Sequence, residues 1–278
     1  MQTIHDGWYT AFNIKEGVWA IDDNGQDNFY AILGSEKNMM IDNGWGGGDL
    51  PALMNRLSHR PWFTADTHFH IDHCVGNLFF DDAYIHPLDL QFLADEEAEV
   101  KQEWIRTHPE VNKHAYADFK TLSGTMGRKR TLPITDGQVF DLGNRKVTAY
   151  HIPGHTIGSV CFIDDMTRTI FMGDMYIPLQ EWNELWLQIP GCAPLEAALK
   201  SIRKVISLKN DFDTVVCGHG NNYFMSVSVL YELEDALDGI CSGRYQGLPV
   251  TGVPGSDRVK VYRAEHVGFV YDPENISE

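Results

Sequence analysis

Apolar residues in the first part of the chain come in short runs, each closed by glycine, asparagine or aspartate: Val18-Trp19-Ala20-Ile21, Asn28 to Leu33, and Asn38-Met39-Met40-Ile41. That rhythm predicts antiparallel strands in a meander. The glycine-rich turn from Asp42 to Gly48 follows, and then Leu50 to Leu57 has apolar spacing suited to a helix. Trp62 to Thr67 reads as a strand running into a loop, and a short apolar piece lies near Tyr84-Ile85-His86. From Leu88 to about Lys120, the residues Leu90, Phe92, Leu93, Val100, Trp104 and Ile105 keep a partial helical period that Pro109 interrupts. An inserted helical hairpin is expected there, placed to cover a site or to mediate assembly.

The second half returns to strands at Val139 to Leu142, Lys146 to Tyr150, Ser159 to Ile163 and Thr169 to Met172. An amphipathic helix from about Pro194 to Leu208 carries Leu195, Leu199, Ile202, Val205 and Ile206 on one stripe. The strand Thr214 to Cys217, a helix around Val229 to Ile240 and a β-like piece at Val259 to Tyr262 complete the pattern. Strands then helix, twice over, predict a mixed α/β (α+β) fold in which two sheets pack face to face with helices outside, a four-layer αββα sandwich. We expect one domain over residues 1–278, with the insertion at about 88–130 and a C-terminal extension at about 221–278.

Composition narrows the partners. Against 22 basic side chains stand 39 acidic ones, a formal charge of −17, which argues against a nucleic acid. Arg128-Lys129-Arg130, a compact basic run, reads as a solvated loop. The five cysteines, Cys74, Cys161, Cys192, Cys217 and Cys241, are odd in number and widely spaced, as expected of reduced thiols in the cytoplasm. No stretch reaches the length of a membrane span, and the N-terminus lacks the basic and apolar regions of a secretory signal. A cytoplasmic protein acting on a small molecule is expected, with no membrane partner and with homodimerisation left open.

The chemistry is concentrated in Thr67-His68-Phe69-His70-Ile71-Asp72-His73, where three imidazoles and a carboxylate crowd one short segment. Imidazole suits zinc and other divalent first-row metals, and an added carboxylate hardens the site enough to hold water. Three further donors stand where a strand meets a glycine-bearing loop: His155 in Pro153-Gly154-His155, Asp174 in Met172-Gly173-Asp174, and His219 in Gly218-His219-Gly220. Four strand ends can therefore point at one place.

With these motifs in this order, and with Ile41-Asp42-Asn43-Gly44 ahead of them, the chain over about residues 14–220 resembles the metallo-β-lactamase-fold hydrolases, nearest in motifs to their glyoxalase II and lactonase-like branches. The resemblance implies two divalent metal ions, zinc first with iron or manganese as alternatives. His68, His70 and His155 would hold one ion, and Asp72, His73 and His219 the other, with Asp174 bridging them. It makes Asp42 a support residue and offers Tyr176 as a hydrogen-bond donor to an oxyanion. Asp72 or Asp174 would orient a metal-bridging hydroxide that attacks a thioester or lactone.

Other residues draw weaker expectations. His151 reads as a strand residue, His86, His108 and His114 as surface, and Cys74 as structural. Trp45, Trp182 and Trp186 are placed either to line a pocket or simply to pack, and the tail bearing His266 and Phe269 could return to the site mouth. The competing functions are a di-iron protein binding oxygen or nitric oxide, a β-lactamase and a phosphodiesterase. Against the first, flavodiiron reductases carry a fused flavodoxin domain and typically a glutamate within the cluster, neither of which is read in this sequence, and a nuclease would call for a basic exosite. The C-terminal extension carries one clear helix rather than a helical domain, which departs from glyoxalase II proper.

Overall fold

Eight strands follow one another across the first sheet in chain order: β1 (Thr3–Asp6), β2 (Tyr9–Lys15), β3 (Val18–Asp23), β4 (Asn28–Leu33), β5 (Asn38–Ile41), β6 (Trp62–Ala65), β7 (Asp82–Ile85) and β8 (Arg130–Pro133). The structure is a computed structural model and describes residues 2–93, 130–178, 185–188, 191–220, 223–250 and 258–277. Pairing is antiparallel from β1 to β5 and parallel from β5 to β8. The parallel crossover between β5 and β6 carries helix α1 (Leu50–Leu57), capped by the Asp49 side chain, which accepts from the Ala52 amide at 2.9 Å.

The second sheet comprises β9 (Val139–Asp141), β10 (Lys146–His151), β11 (Val160–Asp164), β12 (Thr169–Phe171) and β14 (Thr214–Val216), in the order β14-β12-β11-β10-β9. Its last crossover, parallel between β12 and β14, contains β13 (Leu185–Leu187) and helix α3 (Leu195–Ser207). Helix α4 (Ser228–Cys241) packs beside α3.

Burial separates the layers. Between the sheets lie Val18, Ala20, Tyr30, Ile32, Met39 and Ile41 from one side and Phe140, Val147, Ala149, Phe162, Phe171 and Val216 from the other. On the outer face of the first sheet, Leu50, Leu53 and Met54 of α1 cover Tyr9, Ala11, Phe29 and Met40. On the outer face of the second, the α3 stripe of Leu195, Leu199, Ile202 and Val205 meets Leu230, Leu233 and Leu237 of α4 over Cys161, Ile163, Ile170 and Val215. This is the expected αββα sandwich, with strand alternation deciding which residues face which layer.

A third sheet goes beyond the expected architecture. Strands β13, β15 (Leu248–Pro249), β16 (Lys260–Arg263) and β17 (Gly268–Tyr271) associate in the order β13-β17-β16-β15, so the C-terminal extension adds strands as well as a helix. Its last residues also close α3: the Leu195 and Glu196 amides donate to the Asn275 and Ile276 carbonyls at 3.0 and 2.9 Å. Most of the expected helical insertion, residues 94–129 with His108 and His114, lies outside the described residues. Its beginning is helical at 87–93.

Candidate metal centre

Strands β5, β6, β12 and β14 end at one edge of the sandwich, and each runs into a loop bearing a polar residue that the sequence singles out. β6 leads to His68, then to the single-turn helix α2 (Ile71–Cys74), which carries Asp72 and His73. β12 leads into a 3-10 turn with Asp174, and β14 leads to His219. The loop after β10 brings His155.

All seven expected donors meet there. His155 Nε2 lies 2.8 Å from His70 Nδ1, which is 2.9 Å from His68 Nε2. His73 Nε2 is 3.5 Å from an oxygen of Asp72, and His219 Nε2 is 3.4 Å from the same carboxylate. Asp174 lies between the two sets: Oδ2 is 3.5 Å from His155 Nε2, 4.0 Å from His68 Nε2 and 3.1 Å from His219 Nε2, while Oδ1 is 3.5 Å from His73 Nε2. The donors form three groups with the spacing of a metal site: His68 with His70 and His155, His68 with His73 and Asp174, and Asp72 with His73 and His219. Gly218 permits this closeness, because a Cβ there would fall on Asp174 Oδ1 and His73 Cε1.

In four of the five histidines the inward imidazole nitrogen is aimed by a partner at the ring's other nitrogen, as is usual for metal-binding histidines. His73 Nδ1 donates to Asp42 at 3.0 Å, His155 Nδ1 to the Trp186 carbonyl at 2.7 Å, and His219 Nδ1 to the Gln26 carbonyl at 3.0 Å. For His68 the chain is longer. Thr67 Oγ1 donates to Asp42 Oδ2 at 2.9 Å, which leaves its lone pairs to accept from His68 Nδ1 at 2.9 Å. Asp42 thus fulfils its expected supporting role and reaches both sides of the centre.

The electrostatics fit divalent ions. Burial first, and neighbouring imidazoles next, hold His68 and His70 neutral, with His70 pushed down to about 3; burial also lowers His155. Neutral imidazole is the form that binds metal. Burial lowers His73 and His219 too, but Asp174 and Asp72 outweigh it and raise both. Burial raises Asp72 and Asp174, but the surrounding histidines outweigh it and keep both carboxyls below their usual range. His73 Nε2 and Asp174 Oδ1 are buried, face each other and have no hydrogen-bond partner among the described residues, an arrangement a cation would satisfy.

Tyr176, offered as an oxyanion donor, has a hydrogen-bond partner in the tail. It is buried in the core beneath α3 and α4, and its hydroxyl donates to the His266 carbonyl at 3.3 Å. The tail packs into the same core, with Phe269 buried and His266 exposed against Glu232. His151 ends β10 and stacks on His86 at 4.0 Å, which makes His86 a packed residue rather than a free surface one. The Cys74 thiol donates to the Phe69 carbonyl, away from the donors. Trp45 is half-buried, Trp186 is exposed, and Trp182 lies outside the described residues. Sequence reasoning missed the Gln26 and Trp186 carbonyls, which carry no side-chain signature, and Thr67, whose hydroxyl precedes the first histidine.

Residues 22–219 match the family model described as the metallo-beta-lactamase superfamily. The acyl-coenzyme A thioesterase MBLAC2 of Homo sapiens is 28% identical over 185 residues, 60% of this chain and 66% of the relative, so the match spans just under two thirds of that protein. The atrochrysone carboxyl ACP thioesterase of Aspergillus fumigatus is 25% identical over 65% of this chain and 47% of its own length. Among solved structures, the metallo-beta-lactamase from Pontibacter korlensis superposes with a TM-score of 0.59 at 19% identity, covering 83% of this chain and 99% of the other, a likeness of fold.

Proposed function

Because the chain belongs to the metallo-beta-lactamase superfamily, we propose that it is a two-metal hydrolase of small ester-like bonds, with a thioester as its substrate. The observation that carries this reading is the convergence of two sets of buried and half-buried donors on Asp174, which lies within 4.0 Å of a nitrogen from each set. The thioesterase activity for which these relatives are named supports a thioester ahead of a lactone.

In this reading His68, His70 and His155 would hold one divalent ion, zinc before iron or manganese, Asp72, His73 and His219 would hold the other, and Asp174 would serve both. Bound there, such ions would supply a water of lowered pKa and a Lewis acid for the thioester carbonyl. The chain's own part is orientation and proton handling. Asp72 is the more open of the two carboxylates, with 19% of its side chain exposed against 6% for Asp174. Held ionised by His73 and His219, it can align the attacking water and take up its proton. The leaving thiol has an ordinary pKa of about 8.5 and departs without a strong acid. That suits a site in which the Tyr176 hydroxyl is engaged with His266.

Acyl thioesters, lactones, β-lactams and phosphodiesters offered in parallel to the wild type and to His68→Ala test the proposal. Thioesters should turn over fastest, and the variant should lose about a hundredfold or more of that rate. Turnover of phosphodiesters alone would refute the carbonyl-ester reading. A coloured, redox-active iron centre without esterase activity would favour the oxygen-binding alternative.

A further inference from the structure

Asp89 has no part in the chemistry above, yet it is fully buried at the end of the metal centre, in the helical segment 87–93. Its carboxylate collects three donors from two separate ligand loops. The Phe69 amide reaches Oδ2 at 3.1 Å, the Thr156 hydroxyl reaches the same oxygen at 2.7 Å, and the Gly158 amide reaches Oδ1 at 2.7 Å. Phe69 separates His68 from His70, and Thr156 directly follows His155. One buried carboxylate therefore ties the backbone between two donors of a half-site to the residue beside the third. The fit is close: a Cβ on Gly158 would fall on the Asp89 carboxylate.

The other half-site is held without this bond. His73 is aimed by Asp42, His219 by the Gln26 carbonyl, and the α2 turn by the His73 amide donating to the His70 carbonyl at 3.0 Å. Burying a carboxylate is costly unless hydrogen bonds offset it, and burial does push Asp89 up, to about 6, against all three donors. An apolar residue would fill the space at lower cost but would leave two amides buried without acceptors and the Thr156 hydroxyl with only Ser159 Oγ, 2.9 Å away.

We propose that Asp89 is a positioning residue for the His68, His70 and His155 half-site, fixing the separation of its two loops and so its affinity for an ion, while touching neither ion nor substrate. This inference rests on the two-metal reading of the centre.

The test uses the full-length chain, stripped of metal and titrated with Zn2+ against a competing chromophoric chelator, with circular dichroism and thermal unfolding of the metal-free protein alongside. Asp89→Asn places an amide N–H against the Phe69 or Gly158 amide. One of the two ions should weaken ten- to a hundredfold while the other keeps its wild-type constant. Repeating the substitution in His219→Ala, where the first half-site stays intact, assigns the weakened ion. Thr156→Val keeps the side-chain shape but removes the hydroxyl donor, so it should weaken the same ion to a smaller extent. If Asp89→Asn does not fold, Thr156→Val decides the matter. Folded variants that bind both ions as the wild type does, or weaken both equally, overturn the proposal. A wild-type chain taking up fewer than two ions would overturn the two-metal reading itself, and this inference with it.

Discussion

Asp42 shows how much a single residue outside the donor set controls. It holds a left-handed backbone, φ 57°, which aspartate and asparagine tolerate better than most side chains. From that position Oδ1 accepts the Thr67 amide at 2.6 Å, and Oδ2 accepts both the Thr67 hydroxyl and His73 Nδ1. Asp42→Asn preserves the backbone preference but turns an N–H toward one of these donors. His73 and, through Thr67, His68 lose their fixed orientation together. Unlike Asp89→Asn, the change is expected to weaken both ions, by about 10- to 100-fold each. Chelator competition reads this directly, and wild-type affinity for either ion would show that Asp42 does not orient its histidine.

The structural elements impose a longer-range dependence. Trp186, whose carbonyl aims His155, sits on β13, a three-residue strand held by parallel pairing to β17 of the C-terminal extension, with Trp186 opposite Val270. Phe269 on β17 is fully buried in the core shared by α3 and α4. Phe269→Ala should cost about 3–5 kcal/mol of stability. By loosening β13 it should also weaken metal binding at the His155 side, which unfolding measured with and without metal would separate. A variant destabilised equally in both states would mean that β17 contributes only packing.

Strands and helices with a strong apolar rhythm were legible in the sequence. β4, β5 and α1 begin and end where the pattern put them, because each residue's neighbours within one turn or one pleat already decide its face. β13 and β17 are too short for periodicity to register. β2 begins with clean alternation, but an irregularity between Asn13 and Lys15 breaks it. β8 is an edge strand with mostly exposed residues ending in Pro133, which a sheet tolerates at its margin. In the same way, the seven donors could be read because their side chains carry the chemistry. The carbonyls that aim His155 and His219 could not, since any residue can supply one.

Over the whole molecule, the metal centre occupies one edge of the sandwich, and a buried ion pair joins the two sheets at the other. Arg145, between β9 and β10, lies 2.8 Å from Asp164 at the end of β11, and neither side chain is more than 1% exposed. The same guanidinium donates to the Glu16 carbonyl, in the turn between β2 and β3, at 3.1 Å and to the Leu33 carbonyl, at the end of β4, at 3.3 Å. Gly17, with φ 66°, leaves room for it, since a Cβ there would meet Arg145 Nη1. Asp164 also accepts from the Thr167 amide at 3.0 Å. Removing only the cation leaves this carboxylate and two carbonyls buried with their main donor gone. Arg145→Met should therefore cost about 3–5 kcal/mol, read as a fall in the denaturant midpoint. Arg145→Met with Asp164→Leu removes both charges, and much of the loss should be recovered, as when buried pairs elsewhere are replaced by apolar residues. Because the pair lies at the opposite edge from the histidines, zinc affinity should stay at its wild-type value in the folded single variant. If zinc affinity falls along with stability, the two edges are coupled through the sheets. If the double variant is no more stable than the single one, the pair's role is the hydrogen bonding of Arg145 to the first sheet rather than the neutralisation of Asp164.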